Sequence, residues 1–291
     1  MVDQAENLRR MMAEKKEAAR ADMTSRRGTR QKVFAVASGK GGVGKTSLSV
    51  NMGISMCRKG KNVLVLDCDL GLSNVNIVMG EIPKYNLYHV LKGEKQLSEI
   101  IYKTRYGVDI IAGASGFNEL ANMIESERNS FIEQLGFLTQ YDCIILDAGA
   151  GISTAVTSFL YAADKIIIVT TPEPTAVTDA YGIIKVLASE SRNLDINLVV
   201  NRIDSIAEGR KVAERIISIA QQYLRVTVRN IGLIYRDSIV EKALYQRTPF
   251  LVFDEKAKSS IAVEAVAARL LNLPVSENQS GIKSFFTNLF K

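Results

Sequence analysis

Short apolar, β-branched runs recur along the chain: VFAVAS (33–38), NVLVLD (62–67), VDIIA (108–112), CIILD (143–147), KIIIVTT (165–171), INLVVN (196–201) and IGLI (231–234). Between them lie longer stretches in which apolar positions return every three or four residues. These predict helices over 45–59, 117–139 with a break, 152–161, 175–190, 207–223, 238–246 and 256–271. Strand-like runs separated by helical segments predict a mostly parallel sheet. Because the runs are apolar almost throughout, both faces should be covered by helices, giving an α/β fold built as a three-layer α/β/α sandwich. Several runs end on Asp67, Asp147, Asn201 or the Ser38–Gly39 pair. In open sheets of this kind the ligand crevice lies at those carboxyl ends.

Composition narrows the picture. With 291 residues, 47% hydrophobic and 23% charged, the chain has the balance of a globular protein with a large core. No apolar run reaches bilayer-spanning length, and residues 3–32 are charged where a secretory signal would be apolar, so a cytoplasmic location is expected. Cys57, Cys68 and Cys143 are widely spaced in apolar sequence and read as reduced structural thiols. With His89 the only histidine, neither a histidine metal cluster nor a Ser/His/Asp triad can be assembled. The net charge of +6 resides in the tails: residues 1–32 carry nine basic and five acidic side chains, and Lys283 and Lys291 supply the rest. The body is formally neutral, so no nucleic-acid partner is expected.

The candidate chemistry starts at SGKGGVGKTS, Ser38 to Ser47, which follows a predicted strand and opens a predicted helix. That context makes GKGGVGKT a phosphate-binding loop. Glycines let backbone N–H groups turn toward phosphate oxygens, and the helix N-terminus adds partial positive charge. Gly39, Lys40, Gly41, Gly42, Val43, Gly44, Lys45, Thr46 and Ser47 are the candidate ATP-binding residues. Lys45 would reach the β- and γ-phosphates, and the Thr46 hydroxyl would ligate Mg²⁺. In LDCDLGLSN, Leu66 to Asn74, two carboxylates two residues apart offer oxygen donors of the kind Mg²⁺ prefers.

The additional lysine, Lys40, makes the segment KGGVGKT, and here the sequence resembles the MinD/ParA family of deviant Walker A (P-loop) ATPases. The resemblance implies an ATP-dependent homodimer in which Lys40 acts on the partner's nucleotide, much as an arginine finger does. It further implies that Asp69 orients the attacking water, that Asp67 lies in the metal shell, and that Asp147 in ILDAGAGIS (145–153) is the Walker B residue, with Gly149 and Gly151 part of a switch. Asn201 of NRID (201–204) would read the purine edge with Arg202 beside it. IYRD (234–237) departs from the family pattern at Tyr235–Arg236, which leaves that side of the adenine site unassigned. The expected ligands are thus ATP, ADP and Mg²⁺, with no general base of a metabolic catalyst and therefore slow hydrolysis.

Both tails add meaning. In GIKSFFTNLFK (281–291), following the polar linker 273–280, Ile282, Phe285, Phe286, Leu289 and Phe290 share one helical face. That is the build of an interfacial membrane helix; docking on the protein's own core or its dimer partner is the alternative. Burying five such side chains is worth roughly 8–15 kcal/mol, against roughly 10–20 kcal/mol to order ten residues. A single copy would bind marginally and two copies on a dimer more firmly. At the other end, Asp3, Gln4, Ala5, Leu8 and Arg9 resemble the DQAxxLR motif of one branch of the family, the flagellar-number regulators of the FlhG (FleN or YlxH) type. In that branch the motif stimulates the SRP-type GTPase FlhF. The resemblance implies residues 1–32 as an activator segment, 33–272 as the ATPase domain, and FlhF, flagellar switch-complex proteins and the cytoplasmic membrane surface as partners. The competing readings are a MinD-type division-site or ParA-type partition ATPase. An iron–sulphur scaffold of the superfamily lacks its CxxC pair here, and a small-molecule kinase lacks an identifiable substrate pocket.

Overall fold

The computed structural model describes residues 31–69, 74–113, 134, 138–191 and 194–275. Its centre is an eight-stranded sheet: β1 (Lys32–Ser38), β2 (Val63–Cys68), β3 (Tyr102–Lys103), β4 (Asp109–Ile111), β5 (Cys143–Ala150), β6 (Lys165–Thr170), β7 (Ile196–Ile203) and β8 (Val228–Tyr235), in spatial order β3-β4-β2-β5-β1-β6-β7-β8. Every pairing is parallel except that of β3 with β4. The helices are α1 (Lys45–Arg58), α2 (Val75–Met79), α3 (Leu87–Leu91), α4 (Thr154–Ala162), α5 (Pro174–Glu190), α6 (Ile206–Ile219), α7 (Ser238–Tyr245), α8 (Phe250–Phe253) and α9 (Lys258–Leu270).

The continuous apolar runs have the cause inferred for them. Within β1, Phe34 and Val36 enter one core while Ala35 and Ala37 enter the other, because successive side chains of a strand point to opposite faces. The first core is closed by Leu48, Met52, Ile54 and Met56 of α1 and by Val263, Val266 and Leu270 of α9. The second is closed by Val156 and Leu160 of α4, Ile183, Ile184 and Leu187 of α5, and Ile216 of α6. Two such layers around one sheet are the three-layer sandwich.

All seven strand-like runs are strands. The sequence reading did not find β3, α2, α3 or α8, which span two to five residues and are shorter than any window in which periodicity is measurable. Of the helix expected over 117–139, only Gln134 and a single turn at Leu138–Gln140 fall among the described residues. The DQAxxLR motif and the 281–291 segment lie outside them. Among the described residues no helix is long and apolar enough to cross a membrane.

The topology fixes where a ligand can sit. Strands formed between β1 and β6 in the chain lie on one side of β1, and β6 to β8 lie on the other. The winding reverses at the carboxyl end of β1, which leads directly into the glycine-rich loop. Two register shifts occur at this end, one in β1 between Val36 and Ser38 and one in β7 between Val200 and Ile203. Such irregularities re-aim the side chains beside them.

Candidate nucleotide site

The loop leaves β1 at Ser38, whose buried hydroxyl donates to the Lys40 carbonyl at 2.7 Å. Gly42 (φ 76°) and Gly44 (φ 97°) then take left-handed conformations, which turn the loop back over the start of α1. Gly44 is also the N-cap of α1, with no side-chain cap and no acidic residue in the first turn. The helix therefore offers its unsatisfied N–H groups and partial positive charge to an anion. Asn201 braces the loop from β7: its Nδ2 donates to the Val43 carbonyl at 2.8 Å, and its Oδ1 accepts from the Arg202 N–H at 2.9 Å. A Cβ at Gly44 would stand 2.4 Å from that Nδ2, so the brace and the glycine require each other. Arg202 has φ 57°, a conformation few non-glycine residues adopt.

Beneath the loop lie the two strand-end carboxylates. Asp67 and Asp147 are register partners on β2 and β5 and are both buried. Burial, and then the neighbouring Asp67 charge, push the Asp147 carboxyl up to about 6, opposed by hydrogen bonding from Thr46, the Lys45 charge and hydrogen bonding from Ser49. The Ser49 Oγ lies 2.8 Å from Asp147 Oδ1. Thr46 and Ser49 are three residues apart on α1 and so share a face, which is the signal that could have identified Ser49 in the sequence. Lys45 is almost buried, and its charge acts on Asp147.

Asp67 performs a task the sequence did not reveal. Its Oδ1 accepts from the Asp69 N–H at 3.1 Å, and its Oδ2 accepts from the Asn74 and Val75 N–H groups at 2.9 and 3.2 Å. It therefore ties Asp69 to the start of α2. Asp69 in turn faces the end of β5: a Cβ at Gly149 would lie 3.6 Å from Asp69 Oδ1. Gly151 (φ 96°) donates its N–H to the Ser38 carbonyl at 2.9 Å, tying the end of β5 to the entry of the loop. Gly149 and Gly151 thus couple the Asp69 side of the site to the phosphate loop.

The sequence reading missed the surroundings of Lys40. Its Nζ lies 2.7 Å from Glu173 Oε2 and donates to Thr175 Oγ1 at 3.0 Å, both at the amino end of α5. Asp179 of the same helix packs against Gly39, where a Cβ would come within 2.4 Å of Asp179 Cβ. On the IYRD side, Asp237 is a structural residue: it caps α7 through Ile239 and binds Ser259 at the start of α9. Arg236 pairs with Asp204 at 3.3 Å.

This donor set fits a nucleoside triphosphate with Mg²⁺. Among the described residues no group of three or more His, Cys, Asp or Glu side chains gathers around one point. A cation here would depend on the Thr46 hydroxyl, the Asp147 carboxylate, water and phosphate oxygens, as Mg²⁺ at phosphate sites does. When bound, the ion neutralises charge on the transferring phosphate. The chain's own residues would cradle phosphates on the α1 N-terminus, set Lys45 against them and hold Asp69 beside Gly149.

Comparison with known proteins agrees with this geometry. The AAA domain family model matches residues 31–200. The chain is 32% identical to the antiactivator FleN of Pseudomonas aeruginosa, over 87% of this chain and 91% of the relative. It is 34% identical to the flagellum site-determining protein YlxH of Helicobacter pylori, over 89% of this chain and 90% of the relative. Among solved structures it is similar to the MinC:MinD cell division protein complex of Aquifex aeolicus, with a TM-score of 0.70, 27% identity, and coverage of 85% of this chain and 99% of that one. A phosphate loop carrying the additional lysine, set at the winding reversal of this sheet and accompanied by similarity over most of the chain, makes the protein a member of the AAA domain family, a MinD/ParA-type deviant Walker A ATPase related to FleN and YlxH.

Proposed function

We propose that the chain is a slow, dimer-activated switch ATPase that controls the number and placement of flagella. Similarity over most of the chain to YlxH, a flagellum site-determining protein, carries this reading. In this reading ATP joins two copies, Lys40 of each acts on the other's nucleotide, and Asp69 orients the attacking water. The paired subunits present two copies of the 281–291 apolar face, which together hold the cytoplasmic membrane surface where one copy does not. The DQAxxLR segment then engages an SRP-type GTPase of the FlhF kind and stimulates GTP hydrolysis. Flagellar switch-complex proteins are the further partners.

The test is a pull-down of the SRP-type GTPase with the full chain and with the chain lacking residues 1–20, alongside GTPase assays. Capture and stimulation should vanish with the truncation; stimulation that survives it contradicts the assignment. Liposome flotation of the full chain should rise in ATP over ADP, and equal binding in both contradicts the membrane switch. A MinD-type division-site role is the second reading, supported by the likeness to MinD. A protein that leaves the GTPase untouched yet retains ATP-dependent membrane binding would favour it.

A further inference from the structure

The acids of the cleft fix the side on which a nucleotide's base must lie. Asp67 and Asp147 end β2 and β5, on one side of β1, and Asp69 beside Gly149 is on that side too. A nucleotide whose terminal phosphate faces them carries its base the other way, toward the turns that follow β7 and β8. The first turn touches the phosphate loop through Asn201 and Val43, and Arg202 and Arg236, one from each turn, both act on the Glu173 charge beside the loop. The two turns are built alike. Asp204 precedes Ser205, the N-cap of α6, whose hydroxyl accepts from the Glu208 N–H; Arg236 precedes Asp237, the N-cap of α7, whose carboxylate accepts from the Ile239 N–H. Their backbones are tied as well, with the Arg236 N–H donating to the Ile203 carbonyl at 2.9 Å and the Asp204 N–H to Glu208 Oε2 at 2.8 Å.

Capping is done by the next residue in each turn, which leaves the Asp204 and Arg236 side chains to each other. Arg236 Nε lies 3.3 Å from Asp204 Oδ1, with side-chain exposures of 66% and 71%. Tyr235 takes no part, since it packs against the core with the Lys258 ammonium 5.2 Å from its ring centre. A carboxylate beside a base can only accept hydrogen bonds. Guanine presents adjacent N1–H and N2–H donors that suit it, whereas adenine presents the N1 lone pair, which a carboxylate repels. We propose that Arg236 is a specificity-determining residue: by engaging Asp204 it withholds that carboxylate from a guanine base and keeps the site for ATP. The inference deepens the ATPase reading above and rests on it. An exposed ion pair is weakly held, so the preference it lends is severalfold rather than absolute.

The experiment uses the full chain as wild type, Arg236→Gln, Arg236→Lys, Asp204→Asn and the Asp204→Asn/Arg236→Gln double variant. Each is titrated calorimetrically with ADP, GDP and pyrophosphate in the presence of Mg²⁺. The readout is the ratio of ADP to GDP affinity, in which the contribution of the phosphates cancels. Arg236→Gln frees the carboxylate and should lower that ratio by roughly three- to tenfold, chiefly through tighter GDP binding. Arg236→Lys, which keeps the charge, should stay within twofold of wild type. The double variant has no carboxylate to offer, so its ratio should return to within twofold of wild type.

An unchanged or raised ratio in Arg236→Gln overturns the proposal. So does a lowered ratio that persists in the double variant, because the effect would then not run through Asp204. A wild type that binds ADP and GDP no more tightly than pyrophosphate shows that these turns hold no base, and the proposal falls with that result. If the wild type binds no nucleotide, the ATPase reading itself falls. A wild type that prefers ADP while Arg236→Gln matches it removes the role of Arg236 alone.

Discussion

At the floor of the nucleotide cleft, Asp147 is 1% exposed and held by hydroxyls from α1, with Lys45 above it and Asp67 beside it. At the rim, a few residues along the same loop, Lys40 meets Glu173 in a pair open to water on both sides. Both places set a lysine against carboxylates, yet burial gives them opposite behaviour. Charges removed from water interact strongly, and any change in them is felt by the whole network. Charges left in water can exchange partners at little cost. The floor is a buried network and the rim an exposed pair.

The largest expected effect breaks the floor. Lys45→Ala removes an almost buried cation whose charge acts on the buried Asp147 carboxylate and which is the lysine expected to reach the β- and γ-phosphates. Single-turnover phosphate release should fall by about 100-fold or more, the scale for losing one aligned charge donor in a transition state. A protein retaining turnover within tenfold would contradict the placement of the floor.

A second effect is read in stability. In the nucleotide-free protein Asp147 titrates near 6, above its ordinary value of 3.8. The folded state therefore holds this proton more tightly than the unfolded chain, and the associated stability is fully present below about pH 4. It is lost as pH rises toward and through 6, by up to roughly 3 kcal/mol. Asp147→Asn should flatten that part of the urea-unfolding profile between pH 4 and 7 and leave the nucleotide-free variant more stable than wild type at neutral pH. Identical pH profiles for the two proteins would show that the floor is better solvated than its burial implies.

How much of this comparison was legible beforehand differs between floor and rim. Gly39 to Ser47, Asp67, Asp69 and Asp147 stand out because their chemistry is written in contiguous motifs at strand ends, and the sheet follows from apolar runs. The Lys40 contact joins residues more than a hundred positions apart, and nothing in the Glu173 segment except its flanking prolines marks it as special. Three backbone N–H groups, from Asp69, Asn74 and Val75, converge on Asp67, a convergence that residue types do not encode. Asn201 was visible as a polar strand end, but the register shift that turns it toward Val43 was not.

Asn201 also supplies the smallest expected effect, because it stands between floor and rim and has two candidate roles. If its side chain matters as the brace of the Val43 carbonyl, Asn201→Ala loses one partly buried hydrogen bond, worth about 1 kcal/mol, or roughly fivefold in affinity. The loss should then be the same for ATP, GTP and inorganic triphosphate, since all three rest on the loop. If the amide leaves the brace to read the purine edge, the loss should fall on ATP while GTP and triphosphate binding stay within twofold of wild type. Calorimetric titration with the three ligands distinguishes the roles. A uniform loss would put Asn201 with the persistent floor, and an ATP-specific loss would put it with the parts that rearrange when nucleotide arrives.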